Sequence, residues 1–202
     1  LALHFRPSLE GLMDAARRLA LADAGDLLLL EHEYLSIVEL GLYGLTSELA
    51  ARVDPSDREA WSEAVQSALA EEREKAFVKR RLYPTQPEDK PYICYYPMDK
   101  RRRPGQNWYT LPLEERAALM RAHGSVGRSY AGKISQVISG SMGLADWEWA
   151  VTLWAADPTE FKNIISEMRF DEASAEYAEF GPFYVGVRLT PEDVRDLLVE
   201  RA

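Results

Sequence analysis

The chain is short of cysteine, of histidine pairs, of long apolar runs and of positive charge, and each shortage removes a class of protein. A single thiol, Cys94, excludes an intrachain disulfide framework and fits a reducing cytoplasm. Its three histidines, His4, His32 and His123, include no H-x-x-x-H pair of the kind a zinc helix uses. The leucine run at 27–30 falls far below the roughly 20 apolar residues of a membrane span. With 24 Lys and Arg against 33 Asp and Glu, the net charge is -9. A nucleic-acid binder needs the opposite field to displace counterions from phosphates, so no nucleic-acid partner is expected. What remains is an ordinary globular balance, 47% apolar and 28% charged over 202 residues, enough for one large domain or two small ones.

Elements follow from periodicity and punctuation. "LALHF" (1–5) reads as a strand ended by Pro7, and Ser8 caps a helix over "LEGLMDAARRLAL". "EYLSIVELGLYG" (33–44) alternates as a strand, with Tyr34, Ser36 and Val38 on one face. Asp54–Pro55–Ser56 opens one long, exposed connecting helix running to Arg81, and the proline-punctuated stretch 82–91 is a linker. The second half predicts a strand at 92–98 and a helix at 112–123, stopped by Gly124 and Gly127. Strands at 133–143 and 146–155, a helix from Thr159, a strand at 181–189 and a short terminal helix complete it. This β-α-β-β-α-β order is a ferredoxin-like unit. The expected organisation is therefore α+β. Residues 1–53 are the remainder of an N-terminal ferredoxin-like unit, incomplete at its start. Residues 54–91 are the connector, and 92–202 a complete second unit.

Chemistry-bearing residues gather in that second unit. In "YICYYPMDKRRR" (92–103), Tyr92, Cys94, Tyr96 and Met98 share a face by period-two alternation, and Lys100 follows at its edge. A phenol and an ammonium thus converge, while Arg101, Arg102 and Arg103 read as a solvated turn. Cys94 reads as a small buried hydrophobe. His123 ends a helix below Leu119 and Met120; it suits either a favourable helix C-terminus or a single axial ligand to a haem-type iron. "DWEW" (146–149) and Trp154 hold three of the five tryptophans, suited to a sheet core or to a flat apolar macrocycle. Arg169 either pairs with Asp171 or Glu172, or joins Ser174 in holding carboxylates.

Taken together, "YYPMDKRR", "NWYTLPLEERAALMRAHGSVGRSYAGKISQVISGSMGLADWEW" and "MRFDEASAEYAEFGPFYVG" resemble the chlorite dismutase-like superfamily, and within it the coproheme decarboxylases. "LALHFRP" and "YLSIVELG" extend the resemblance into the first half. It implies two ferredoxin-like units of the dimeric α+β barrel type. The implied reaction is peroxide-dependent decarboxylation of two propionates of iron-coproporphyrin III (coproheme) to vinyl groups, giving haem b. The resemblance makes His123 the iron ligand and Tyr96 the redox-active phenol. Lys100, Arg81, Arg169 and Ser174 become propionate contacts, with Met98 and Trp149 lining the pocket. Gln136 stands where chlorite dismutases carry a distal arginine, and a neutral amide favours peroxide over chlorite. A cytoplasmic homopentamer and a transient contact with the preceding ferrochelatase are implied as well. Chlorite dismutase, a generic haem peroxidase and a haem-binding or sensing module are the alternatives.

Overall fold

A computed structural model describes residues 2–22, 30–40 and 43–199. Its centre is one antiparallel sheet laid down by the second half of the chain. The strands are β1 (Ile37–Val38), β2 (Tyr92–Lys100), β5 (Ile134–Gly140), β6 (Trp149–Ala155), β7 (Ala178–Phe180) and β8 (Tyr184–Val187). The order is β1-β5-β6-β2, with β7 and β8 both pairing the far side of β2. The helices of this half are α5 (Leu113–Ser129), α6 (Thr159–Met168), α7 (Glu172–Ala175) and α8 (Pro191–Val199). The core run β2-α5-β5-β6-α6-β8 is the β-α-β-β-α-β order expected from sequence, with the sheet order of a ferredoxin-like unit. A two-stranded hairpin, β3 (Arg102–Arg103) and β4 (Gln106–Asn107), turns at Gly105, whose φ of 78° only glycine adopts without strain. A 3-10 turn over Trp108–Thr110 then leads to α5.

Register sorts the side chains. Cys94 pairs Leu153, Tyr96 pairs Val151 and Met98 pairs Trp149. Gln136 in turn pairs Leu153, and Gly140 pairs Trp149. One sheet face therefore carries Tyr92, Cys94, Tyr96, Met98, Lys100, Trp149 and Gln136 together. Against it α6 buries Phe161 and Ile164 beside Cys94, Tyr96, Val151 and Leu153. Each large apolar side chain so buried contributes roughly 1.5–3 kcal/mol. Cys94 is 1% exposed and its thiol is pushed up to about 11 by burial, as a small core hydrophobe should be.

The opposite face is covered from the first half. Phe5 lies against Trp154, with ring centroids 6.4 Å apart, and Tyr34 meets Tyr95 edge-on at 5.8 Å. The Ser36 and Ser139 hydroxyls are 2.7 Å apart, and the Tyr34 hydroxyl bonds to both Ser141 Oγ and the Trp147 carbonyl. Tyr34 and Ser36 thus share a face, as their alternation predicts.

Several boundaries differ from the sequence reading. Residues 2–6 form no strand: the segment packs by the Phe5 ring instead of by a backbone ladder. The strand expected over 33–44 shrinks to Ile37–Val38; residues 41–42 lie outside the described residues, and Tyr43 already begins α2 (Tyr43–Ala50). The connecting helix breaks at Lys75, whose ψ of 132° separates α3 (Arg58–Glu74) from α4 (Ala76–Leu82). α3 buries no side chain, as an exposed connector should, whereas α4 turns Val78 into the interior. α5 runs through Gly124 and Gly127 because contact with α6 and α7 outweighs a penalty of about 1 kcal/mol per glycine. β6 starts at Trp149, so Trp147 precedes it. In the first half, α1 (Leu9–Ala20) begins as expected, with Ser8 Oγ accepting from the Gly11 amide at 3.2 Å.

Candidate functional site

The four-residue helix α7 organises the site. Asp171 stands at its N-cap, yet the side chain caps nothing; its Oδ2 lies 3.1 Å from His123 Nδ1. A carboxylate only accepts, so the hydrogen between the two groups belongs to Nδ1, which leaves Nε2 as the ring nitrogen able to ligate a metal. Ser174 Oγ is 3.4 Å from the same Nδ1. Between these two residues in the chain, the Ala173 carbonyl accepts from Lys100 Nζ at 3.2 Å. His123 and Lys100, from α5 and β2, are thus fastened to neighbouring residues of one short element.

Lys100 is unusual electrostatically. Its ammonium lies 4.2 Å from the Trp108 ring centroid and makes no ion pair among the described residues. Burial pulls its pKa down to about 8, while Asp171 and Glu148 pull it back up. A buried cation without a bound carboxylate is an open demand for an anion.

Tyr96, 4% exposed, lies on the same face with its ring stacked on Phe183 at a centroid distance of 4.5 Å and tilted against Phe180 at 5.8 Å. Burial raises its phenol pKa far above the usual range, helped by Cys94, and the Arg169 charge opposes the rise. Tyr96 therefore stays an O–H group at any working pH. The Arg169 guanidinium sits 4.0 Å from the Phe180 ring, and it pairs with neither Asp171 nor Glu172 among the described residues. Trp149 Nε1–H is buried with no acceptor among the described residues. Met98 is half-buried beside it in register, and Gln136 is exposed on the same face. Arg81 stands apart: it is exposed on the last turn of α4, with no described hydrogen bond to the other site residues.

Of the arginines behind Lys100, Arg102 and Arg103 are exposed on the hairpin, as a solvated turn would have them, while Arg101 is half-buried, and all three find distant partners. Arg101 donates to the carbonyls of Ala175 and Glu176, each at 3.0 Å. Arg102 reaches Glu148 Oε1 at 3.2 Å, and Arg103 pairs with Glu179. Those partners lie far away in the chain, which is why local composition does not reveal them. Asp171 and Glu148 also escape sequence reasoning. The available signals are an acid opening the "DEAS" turn and a lone acid inside the aromatic "DWEW".

Residues 1–189 match the family model described as Chlorite dismutase. The chain belongs to the chlorite dismutase family. It is 44% identical over 198 residues to a coproheme decarboxylase of Thermus thermophilus, covering 98% of this chain and 70% of that protein. Against the coproheme decarboxylase of Staphylococcus saprophyticus it is 45% identical over 192 residues, covering 95% of this chain and 69% of the relative. A solved heme-binding protein, also from Thermus thermophilus, superposes with a TM-score of 0.78 at 43% identity, covering 96% of this chain and 68% of that one. The mixed α+β fold of this family is the ferredoxin-like, dimeric α+β barrel type, in agreement with the sheet order above.

The donor set fits an iron porphyrin bearing carboxylates. It offers one imidazole whose Nδ1 is held by a carboxylate, a partly buried ammonium with no ion pair and an indole N–H with no acceptor among the described residues.

Proposed function

We infer that the chain is a coproheme decarboxylase, converting two propionates of iron-coproporphyrin III to vinyl groups to give haem b. The observation that carries this reading is Lys100: a partly buried ammonium on the Tyr96 face, with no ion pair among the described residues, tied through α7 to His123. Four carboxylates on the substrate explain why a chain of net charge -9 keeps such a cation.

His123 would hold the iron, with Asp171 fixing its tautomer. Lys100 would bind a propionate, with Arg169, Ser174 and Arg81 as further carboxylate contacts and Met98 and Trp149 lining the pocket. Iron with hydrogen peroxide supplies the oxidising equivalents. Each propionate gives up CO2, one proton and two electrons, and one peroxide with a further proton leaves as two waters. Tyr96 loses its O–H hydrogen and takes one from the propionate side chain that Lys100 positions. Gln136 offers an amide where a cation would be needed to hold chlorite, which supports decarboxylation over chlorite chemistry. On a division at 1–53, 54–91 and 92–202, all of this machinery but Arg81 belongs to the second ferredoxin-like unit. A cytoplasmic homopentamer is the proposed assembly. Exposed Tyr184, Val185 and Val187 on the outer strand β8 give it apolar surface to cover. A passing contact with the preceding ferrochelatase would deliver the substrate.

Mixing the protein with iron-coproporphyrin III and titrating peroxide tests the reading. Mono- and divinyl products are expected by mass spectrometry, and their absence sinks it.

A further inference from the structure

Glu148, the acid inside "DWEW", has no part in the reaction scheme, yet it is 7% exposed and engaged at every polar atom. Its Oε2 accepts from the Lys100 backbone N–H at 3.0 Å and from the Tyr109 hydroxyl at 2.6 Å. Its Oε1 faces the Arg102 guanidinium at 3.2 Å. Its own N–H donates to Asp99 Oδ1 at 2.7 Å, and its carbonyl accepts from the Ser141 amide at 2.7 Å. The β2–β6 ladder ends at the Met98–Trp149 pair, so beyond it the Glu148 side chain supplies the acceptor that the β6 backbone no longer provides.

Tyr109 follows Trp108, the ring on which the Lys100 ammonium lies. The Trp108 amide in turn donates to the Arg101 carbonyl at 2.9 Å. One carboxylate thus holds both the backbone from which the Lys100 side chain springs and the turn that carries its aromatic floor. A buried acid is costly unless charged donors satisfy it, and a neutral side chain would close this corner with less desolvation. The geometry points to Glu148 as a positioning residue for Lys100, setting where the ammonium meets the substrate carboxylate. This rests on the reading of Lys100 as the carboxylate grip.

The test is a double-mutant cycle on the full chain with iron-coproporphyrin III and peroxide. It compares Glu148→Gln, Tyr109→Phe, Lys100→Ala and the Lys100→Ala/Glu148→Gln pair, with circular dichroism confirming the fold of each. Glu148→Gln should lower kcat/KM for the porphyrin roughly tenfold, with the loss in porphyrin affinity and the KM for peroxide unchanged. Tyr109→Phe should move the same way by less. In the Lys100→Ala background, Glu148→Gln should cost nothing more. An equal cost in both backgrounds, or no cost in the native one, overturns the positioning role and leaves the grip standing. Native affinity and turnover in Lys100→Ala itself would instead remove the grip, and this inference with it. Should Glu148→Gln not fold, Tyr109→Phe carries the same cycle with the same deciding outcomes.

Discussion

Lys100 links stability and chemistry with opposite signs. Burial lowers its pKa from 10.5 to about 8, so between those values the unfolded chain binds the extra proton and stability rises with pH. Below about pH 8 the burial penalty is fully present. Lys100→Met should therefore stabilise the ligand-free protein at pH 7 by about 1–2 kcal/mol, a gain that shrinks towards pH 10.5. Urea unfolding of both proteins at the two pH values checks this. Affinity for the porphyrin should run the other way in the native chain, falling as pH passes about 8 and the ammonium is lost. A titration curve flat from about pH 7 to 10 would contradict it. At the neighbouring histidine, Asp171→Asn should weaken iron-porphyrin binding by roughly 10–100-fold, followed by absorbance titration, because the Nδ1 proton loses its carboxylate.

Among the elements, the junction of β2 with the end of β7 leaves no room for a side chain. A Cβ on Gly181 would stand 2.8 Å from Pro97 Cγ and 2.9 Å from Trp147 Cζ2, and its N–H bonds the Pro97 carbonyl at 2.9 Å. Gly181→Ala should cost about 1–3 kcal/mol, read as a lowered midpoint in thermal or urea unfolding. The elements most legible in the sequence are those whose period survives in isolation. The alternation of 92–98 placed Tyr96, Met98 and Lys100 on one face, and Ser8 announced its helix. α7 and β7 were invisible, because a turn of helix and a three-residue strand are too short to show any period. Gly124 and Gly127 misled for a different reason: propensity marks where a helix could stop, but neighbouring helices decide whether it does. The two acids beneath the site were hidden by distance along the chain, since Glu148 and Asp171 meet their partners 48 positions away.

For the whole molecule, the sheet is finished only by the chain's first half. Trp154, Tyr95 and Ser139 on one face find Phe5, Tyr34 and Ser36 as their cover. A chain beginning at Tyr92 should retain the ferredoxin-like topology but bind a hydrophobic dye and melt at lower temperature than the full chain. Equal melting temperatures would show that the second half stands alone.

On the other face, α7 holds His123 through the acid at its leading end and Lys100 through the next residue but one. Imidazole and ammonium are therefore both anchored on one turn of helix. Under the proposed assignment, the group that would hold the metal and the group that would hold the carboxylate sit on one lever, so a shift of a four-residue helix would reset both at once.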